Sequence, residues 1–221
     1  MISVLKDCKN PEILVITPLL NGHKISKQTK TTIKRNSVPF VWLSSMDNKN
    51  IPTNIKNADD WYIKRHGKLP PYQIIIDNDI TLGRNMLDRL LKTLKNSDEN
   101  VAFSYASFKY TGYMNAEFIA VPYNINKLLQ HNYISSNSLV RTDVIQKVGL
   151  VTDEKYKRLL DWAFYLKLFY HGYIGAPCVE ASFIAMSDEK SVSSQSNHDY
   201  GIKRNRVLHD FGVPIVEKYG S

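Results

Sequence analysis

The sequence is poor in cysteine and has no long apolar run. Its two cysteines, Cys8 and Cys178, lie far apart and neither has a neighbouring cysteine. This excludes a disulfide framework and a cysteine-rich zinc site. No apolar run approaches the roughly 18 residues that a membrane span requires, and the charged residues 1–12 do not resemble a signal peptide. We therefore expect a cytoplasmic protein without a transmembrane segment, although contact with a membrane surface stays open.

Acidic residues are absent from residues 23–36, where five basic side chains occur: Lys24, Lys27, Lys30, Lys34 and Arg35. The whole chain carries a formal net charge of +8 over 221 residues. Such a basic stretch favours polyanions, namely nucleotide diphosphates, nucleic acid or anionic headgroups. It is equally typical of a solvated, lysine-rich helix face, and the sequence leaves both interpretations open.

The first half of the chain alternates between strand and helix patterns. Short apolar, β-branched runs predict buried strands at residues 13–17, 40–44 and 73–76. Helices are predicted at residues 24–35 and at residues 82–95, the second with Thr81 as its N-cap, and the polar stretch 47–57 predicts a loop. This alternation predicts a single α/β domain with a mostly parallel central sheet flanked by helices. In such sheets, ligands bind at the carboxyl ends of the strands.

The second half is less regular. Gly149 ends one of its predicted helices, and an apolar helix precedes His171-Gly172. The predicted segments are strands at 101–108, 116–121 and 173–177, a mixed segment at 133–141, helices at 143–148, 155–170 and 200–211, and a serine-rich loop at 188–197.

Asp77-Asn78-Asp79 follows directly after an apolar strand and precedes a helix pattern. Two carboxylates two residues apart at a strand end can turn towards one point, and Mg²⁺ and Mn²⁺ prefer oxygen ligands of this kind. A metal held there would bridge a diphosphate. The alternative is a polar turn, in which Asp and Asn are common. The position at a strand end favours metal binding by Asp77 and Asp79.

Asp161 and His198 are the other candidate site residues. Asp161 lies in an otherwise apolar helix, where partial burial would raise the pKa of its carboxyl group and make it a better base. It could equally stabilise a helix N-terminus or lie on an exposed strip with Lys157 and Arg158. A neutral His198 could be a third metal ligand, or it could be a surface histidine.

Four segments together resemble the family 2 glycosyltransferases, which have the GT-A fold. These are the first strand with its proline (residues 13–18), the strand with its Asp-x-Asp motif (75–80), the segment before the catalytic helix (134–141 with Val148-Gly149), and the helix that contains Asp161-Trp162 and closes at a glycine (160–168 and 171–172). The resemblance covers roughly residues 12–177, and it depends on the order and spacing of the segments.

The resemblance implies a metal-dependent glycosyltransferase that moves a sugar from a nucleotide-diphosphate sugar, with inversion, to an acceptor hydroxyl. Asp77 and Asp79 would serve the metal, Mn²⁺ or Mg²⁺, and the diphosphate, while Asp161 would be the general base. Pro18, Asp47, Asp77 and Asn78 are the predicted nucleotide contacts, with Asp47 as the candidate for recognition of the base or ribose. The acceptor would be a glycan, a lipid-linked sugar or modified DNA. Residues 12–100 would bind the nucleotide sugar and residues 101–212 the acceptor.

Two departures from the family pattern keep other functions open. Leu160 stands where the family often has an acidic residue, and residues 44–48 replace its usual aspartate-rich turn. A catalytically inactive GT-A-like binding domain is therefore one alternative, and a nucleic-acid-associated module that uses the basic surface is another. A sugar nucleotidyltransferase is disfavoured, because only Gly22 is available for a phosphate loop near the first strand.

Overall fold

The computed structural model describes residues 1–20, 22–47, 50–113, 115–156, 158–187 and 198–211, and for Glu154 and residues 198–200 it describes the backbone alone. The elements of the first half are β1 (Ile2–Lys6), β2 (Ile13–Leu19), α1 (Lys27–Lys34), β3 (Phe40–Met46), α2 (Ile51–His66), β4 (Tyr72–Ile75), β5 (Ile80–Leu82) and α3 (Met86–Lys95). The second half contains β6 (Val101–Gly112), β7 (Ala116–Phe118), α4 (Ile125–Leu128), β8 (Leu139–Arg141), α5 (Thr142–Val148), a 3₁₀ turn (Glu154–Tyr156), α6 (Leu160–Tyr170), β9 (Ile174–Ser187) and α7 (His198–Asp210).

The described strands form one mixed sheet in the order β1-β3-β2-β4-β8-β6-β9-β5, and β7 pairs with β6. Strand β2 is parallel to both β3 and β4, and β6 is parallel to β9. The other pairings, β1 with β3, β4 with β8, β5 with β9, β6 with β7 and β6 with β8, are antiparallel. The predicted single α/β domain is confirmed. Its sheet is mixed and not mostly parallel as predicted, with parallel pairing in β3-β2-β4 and between β6 and β9.

Strand β2 is buried on both faces, as expected for a central parallel strand. Ile13 and Val15 belong to a core shared with the apolar face of α3. Leu14 and Ile16 lie on the opposite face, in a core with Ile55 and other residues of α2. Helix α6 anchors a separate core around the fully buried Trp162. The two faces of the sheet therefore both carry helices, and the strand ends project from one edge.

The strand predictions at residues 13–17, 40–44 and 73–76 are confirmed, but the loop predicted at 47–57 is wrong. Helix α2 begins at Ile51, because the side chain of Asn50 accepts a hydrogen bond from the Thr53 N–H at 2.8 Å and Pro52 lies in the first turn. The fully buried Asn54 explains the polar pattern, since its amide bonds three backbone carbonyls.

Thr81 was predicted as an N-cap, and this is also wrong. It lies in β5, which pairs with β9 and buries Ile80 and Leu82. Helix α3 begins at Met86, after Asn85 at a left-handed φ of 56°. Residues 80–82 fit the apolar pattern of the following helix in sequence, but their pairing with β9 holds them in a strand.

Two further elements differ in extent from the prediction. Strand β9 runs to Ser187, well beyond the predicted residue 177, because it pairs with β6 and β5 along its length. Helix α6 begins at Leu160 and not near residue 155, since Arg158 adopts a φ of 79° that no α-helix contains. The predicted loop at 188–197 lies outside the described residues. Within the described part of the chain, none of the helices has the length and apolar character of a membrane span.

Candidate active site

Three parallel strands end at one edge of the sheet. The pairing of Ile13 with Phe40 and with Tyr72 sets β2, β3 and β4 in register, so their carboxyl ends coincide. Asp47 follows β3 and Asp77 follows β4, which places both aspartates at this edge. The predicted juxtaposition of strand ends is therefore observed. Pro18 is buried within β2, in register with Ser45.

The turn that contains Asp77, Asn78 and Asp79 is tied to the segment before α1. The carbonyl of Asn78 accepts hydrogen bonds from the Ser26 N–H at 2.9 Å and from the Thr29 hydroxyl at 3.1 Å. The amide of Asn78 donates to the carbonyl of Lys24 at 3.1 Å. These bonds fix the turn's backbone, and they engage the Asn78 side chain that was predicted to contact nucleotide.

Asp77 is held by Asn137, a residue that is 3% exposed. The amide of Asn137 donates to Asp77 Oδ2 at 3.3 Å, and its Oδ1 accepts from the Asp77 N–H at the same distance. Burial and then the charge of Asp79 raise the pKa of Asp77 to about 6, against the lowering effect of the Asn137 hydrogen bond. Asp77 therefore sits where a nearby positive charge would be favourable.

Asp161 is half-buried in the first turn of α6. Its Oδ1 accepts from the N–H of Trp162 at 2.8 Å, and its Oδ2 accepts from the amide of Asn132 at 3.1 Å. Burial raises the pKa of Asp161 to about 6, those two hydrogen bonds lower it, and the charge of Asp77 adds a smaller rise. The carboxyl group is thus ionised at neutral pH yet more basic than an exposed aspartate.

Asp77 and Asp161 line the same cavity, whose volume is about 330 Å³. Leu160 and Tyr165 also line it, and the hydroxyl of Tyr165 donates to the carbonyl of Ser135 at 2.6 Å. Most of the remaining wall is aliphatic. Leu20, Asn50 and Asp77, which follow β2, β3 and β4, border the cavity, so it lies at the carboxyl edge of the parallel strands, where an α/β sheet binds its ligands.

The hydroxyl group of Tyr110, in β6, is influenced by the charges of three aspartates. Burial raises the pKa of the Tyr110 hydroxyl, and the charges of Asp161, Asp77 and Asp79 raise it further. All three predicted site carboxylates therefore act on one phenol.

Arg158 adds a cationic side chain to the wall of the cavity. Its φ of 79° lies in the left-handed region, which non-glycine residues adopt at an energetic cost. Arg158 is half-buried, so the alternative of an exposed strip shared with Asp161 does not describe this surface.

Two other predicted site residues, Asp47 and His198, are not among the described residues that line the cavity. Asp47 is half-buried, and its Oδ2 accepts from the Asn57 amide at 3.3 Å. The backbone of His198 begins α7, while its side chain lies outside the described residues. Within the described residues, no three His, Cys, Asp or Glu side chains form a metal-binding group.

Sequence reasoning missed the residues that support the carboxylates. Asn132 and Asn137 belong to an irregular segment, and no pattern in the sequence links them to Asp161 or Asp77. Asn137 lies within the segment quoted for the family resemblance, which is the one signal that could have indicated it. Tyr110 lies in β6, beyond the predicted end of that strand at residue 108, and the residues around it in the sequence do not distinguish it from other tyrosines.

Comparison with known proteins identifies structural neighbours alone. No family model matches the chain, and no curated protein matches it. S. aureus TarS 1-349 in complex with UDP-GlcNAc is similar with a TM-score of 0.59 and 11% sequence identity, over 90% of this chain and 66% of that one. The mannosyltransferase PcManGT from Pyrobaculum calidifontis, in complex with GDP-Man and Mn²⁺, has a TM-score of 0.52 and 15% identity, over 93% of this chain and 66% of that one.

The longer S. aureus TarS structure is similar with a TM-score of 0.53 and 12% identity, and this chain spans 42% of its length. Identities this low establish likeness of fold and nothing finer. The chain is therefore a single α/β domain with a GT-A-like fold, the fold of its glycosyltransferase neighbours.

Proposed function

We propose that this chain is a glycosyltransferase that moves a sugar from a nucleotide-diphosphate sugar to an acceptor hydroxyl. The observation that carries the proposal is the meeting of Asp77 and Asp161 at one cavity, at the carboxyl edge of the parallel strands. Each carboxyl group has a pKa raised to about 6, and the charge of Asp77 contributes to that of Asp161. Perturbed titratable groups in a cleft are typical of catalytic sites. The neighbours solved with UDP-GlcNAc and GDP-Man support the donor class.

A divalent cation fits the donor set at the Asp-Asn-Asp turn. Asp77 and Asp79 offer hard oxygen ligands, and the charge of Asp79 raises the pKa of Asp77. A cation between them would relieve this repulsion. When bound, Mn²⁺ or Mg²⁺ would supply Lewis-acid stabilisation of the diphosphate. The neighbour solved with Mn²⁺ supports this choice of ions, and His198 stays the proposed third ligand.

Asp161 has the properties of a general base. Asn132 and the N–H of Trp162 orient its carboxylate, and its pKa of about 6 keeps it ionised at neutral pH. In the proposed reaction Asp161 takes the proton of the acceptor hydroxyl while the oxygen attacks the anomeric carbon. The bond from that carbon to the diphosphate oxygen breaks, and the nucleoside diphosphate leaves with the electron pair. A single displacement of this kind inverts the anomeric centre.

The remaining predicted contacts have supporting positions. Asp47 lies at the same sheet edge as Asp77 and is the proposed contact for the base or ribose. Pro18, which is buried in β2, and Asn78, which is bonded to Lys24, are the other proposed nucleotide contacts.

Thermal shift measurements with nucleoside diphosphates and sugar nucleotides, with and without Mn²⁺, test donor binding, because a ligand of the folded state raises its melting temperature. We expect a Mn²⁺-dependent rise with at least one sugar nucleotide. Asp79→Ala should abolish that dependence, and Asp98→Ala, which removes an exposed carboxylate in a loop, should not. A Mn²⁺-dependent rise that persists in Asp79→Ala would refute the metal assignment.

A binding-only domain with the same fold is the second candidate. Leu160 lines the cavity beside Asp161, at the position where the resembled family often has an acid. Donor binding without transfer across a broad acceptor panel would favour this function. Restoration of transfer by Leu160→Glu would identify the missing acid as the cause.

A further inference from the structure

The cavity beside the proposed base is far more apolar than a site for a sugar and a diphosphate requires. Its aliphatic and aromatic wall is built from α2, α6 and the segment around α5, and includes Ile51, Ile55, Ile145, Leu150, Val151 and Phe164. Phosphate and sugar hydroxyl groups would lose hydrogen bonds against such a wall. The wall therefore favours an apolar ligand group.

The cavity extends well below the carboxylates. Gln73, Ile74, Ile75 and Asp77, from β4 and the residues just after it, all line the cavity. Four residues of extended chain separate Gln73 from Asp77, which corresponds to about 13 Å at the rise of a β-strand. Leu20 and Ile51, which are 40% and 43% exposed, also line the cavity, so its mouth opens on their side. The shape suits an elongated group that enters from the carboxylate edge.

We propose that this cavity binds an aliphatic chain carried by the acceptor, so that the acceptor substrate is an alkyl-linked alcohol or glycoside. The inference rests on the proposed glycosyltransferase function and names its acceptor class. Asp161 and Asp77 line the cavity together with its apolar wall, so a chain buried against that wall leaves its polar end at the carboxylates, beside the proposed base. Asp79, a proposed ligand of the donor's metal, is not part of the described lining, which places the donor diphosphate at the mouth.

Calorimetric titration of the donor-free protein with n-butyl, n-hexyl and n-octyl glucoside, each below its micelle concentration, tests the proposal. Each buried methylene should raise the affinity by roughly fourfold, as expected from about 0.8 kcal/mol per methylene. The heat capacity change should become more negative as the chain lengthens. Equal affinity for the three glucosides, or no binding by any of them, would overturn the proposal.

Variants that fill the cavity locate the binding site. Val151→Trp enlarges a half-buried side chain between α5 and the 3₁₀ turn. Ile51→Trp enlarges an exposed side chain at the mouth of the cavity and serves as a second variant in case Val151→Trp folds poorly. Each should weaken octyl glucoside binding at least tenfold while keeping the Mn²⁺-dependent shift with a nucleotide. Val179→Trp is the matched control, because Val179 is 61% exposed on β9, away from the described lining, and it should leave both signals unchanged.

The outcomes separate this inference from the proposed function. Chain-length-dependent binding that survives Val151→Trp and Ile51→Trp would overturn the inference alone. Loss of the nucleotide shift in Val151→Trp, without any dependence on chain length, would assign the cavity to the nucleobase and also overturn it. If wild-type protein binds octyl glucoside in the cavity but no nucleotide, the proposed glycosyltransferase function fails while the apolar site stands.

Discussion

Asp161 combines partial burial with two hydrogen bonds that hold both of its carboxylate oxygens. Its replacement by asparagine keeps the shape of the side chain and removes the capacity to accept a proton at neutral pH. We expect Asp161→Asn to bind donor and metal normally and to transfer sugar about 10²–10⁴-fold more slowly, the usual cost of losing a general base. A transfer assay paired with thermal shifts measures both quantities.

The exposed Asp98 offers the matched control, since Asp98→Asn removes one charge far from any proposed role. Its transfer rate should equal that of the wild type. Near-normal turnover by Asp161→Asn would place the base elsewhere and leave Asp161 with the structural role that its bond to the Trp162 N–H already provides.

Asn137 is the residue on which the position of Asp77 depends. It bonds both the N–H and the carboxylate of Asp77 from a buried position. Asn137→Ala should lower the free energy of unfolding by about 1–3 kcal/mol, because it leaves buried polar groups without partners. It should also raise the pKa of Asp77 further and weaken the Mn²⁺-dependent shift. Chemical denaturation measures the first effect and thermal shift the second.

Asn100→Ala, at an exposed position before β6, controls for the loss of an amide. It should change neither quantity appreciably. If Asn137→Ala is destabilised but retains the full Mn²⁺ response, Asn137 supports the fold and does not position the metal site.

The free energy of unfolding depends on pH through Asp59 of α2. Burial and then the charge of Asp60 raise the pKa of Asp59 to about 7. The nearby Gln73 amide offsets part of this rise. Among the described residues, Asp59 Oδ1 and Gln73 Nε2 are both buried without a hydrogen-bond partner. In the unfolded chain an aspartate titrates near 3.9. The stabilising contribution is therefore complete below about pH 4 and is lost as the pH rises towards 7.

Asp59→Asn removes this dependence. At pH 8 the variant should be more stable than the wild type by up to about 4 kcal/mol, because a rise of the pKa from about 3.9 to about 7 is linked to that much free energy of unfolding. At pH 4 the difference should vanish. Denaturation curves at both pH values measure it, and Asp98→Asn, which removes an exposed carboxylate in a loop, is the control. An equal difference at the two pH values would show that folding does not raise the pKa of Asp59.

Local sequence patterns predicted the residues that carry charge but not those that hold them. Asp77 and Asp79 are recognisable because they follow an apolar strand, and Asp161 because it interrupts an apolar helix. Asn132, Asn137 and Tyr110 reach the site through the pairing of distant segments. Their types occur throughout the chain, so no local pattern separates them from ordinary polar or aromatic residues.

At the scale of elements, α2 depends on one buried side chain. Asn54 accepts from the Ser45 hydroxyl and donates to the carbonyls of Leu19, Asp47 and Asn50. It therefore ties the ends of β2 and β3 to the first turn of α2. Asn54→Ala should cost about 1–3 kcal/mol of unfolding free energy and reduce nucleotide affinity, because Asp47 would lose its anchor.

Denaturation and calorimetric nucleotide titration measure the two effects. Asn57→Ala, one turn further along α2, removes the bond to the Asp47 carboxylate but leaves the strand ends tied, so it should affect stability less. Equal losses in the two variants would argue against the special role of Asn54.

Apolar strands of the parallel core were predictable because burial on both faces requires a continuous apolar run. Helix α2 was not, since its start consists of polar residues whose partners lie on β2 and β3. Strand β5 was not predictable either, because its residues fit the apolar periodicity of the following helix α3, and only the pairing with β9 makes them a strand. In both cases tertiary contacts outweigh the local preference.

At the scale of the whole molecule, the fold concentrates negative charge at one edge of a chain whose net charge is +8. Asp79 raises the pKa of Asp77, and Asp77 raises that of Asp161. Folding therefore brings mutually repelling groups together, which lowers stability in the absence of a cation. Functional sites commonly carry such a cost.

Asp79→Asn separates the stability of the fold from the function of the site. In EDTA the variant should melt at a higher temperature than the wild type, because the carboxylate that raises the pKa of Asp77 is neutralised. With Mn²⁺ and a sugar nucleotide the order should reverse, since ligand binding stabilises the folded wild type in proportion to RT ln(1 + [L]/Kd) and the variant lacks one proposed ligand. Asp98→Asn, scanned in parallel, should follow the wild type under both conditions. A variant that melts below the wild type in EDTA would show that Asp79 stabilises the fold through its other contacts, and a retained Mn²⁺ response would place the metal away from this turn.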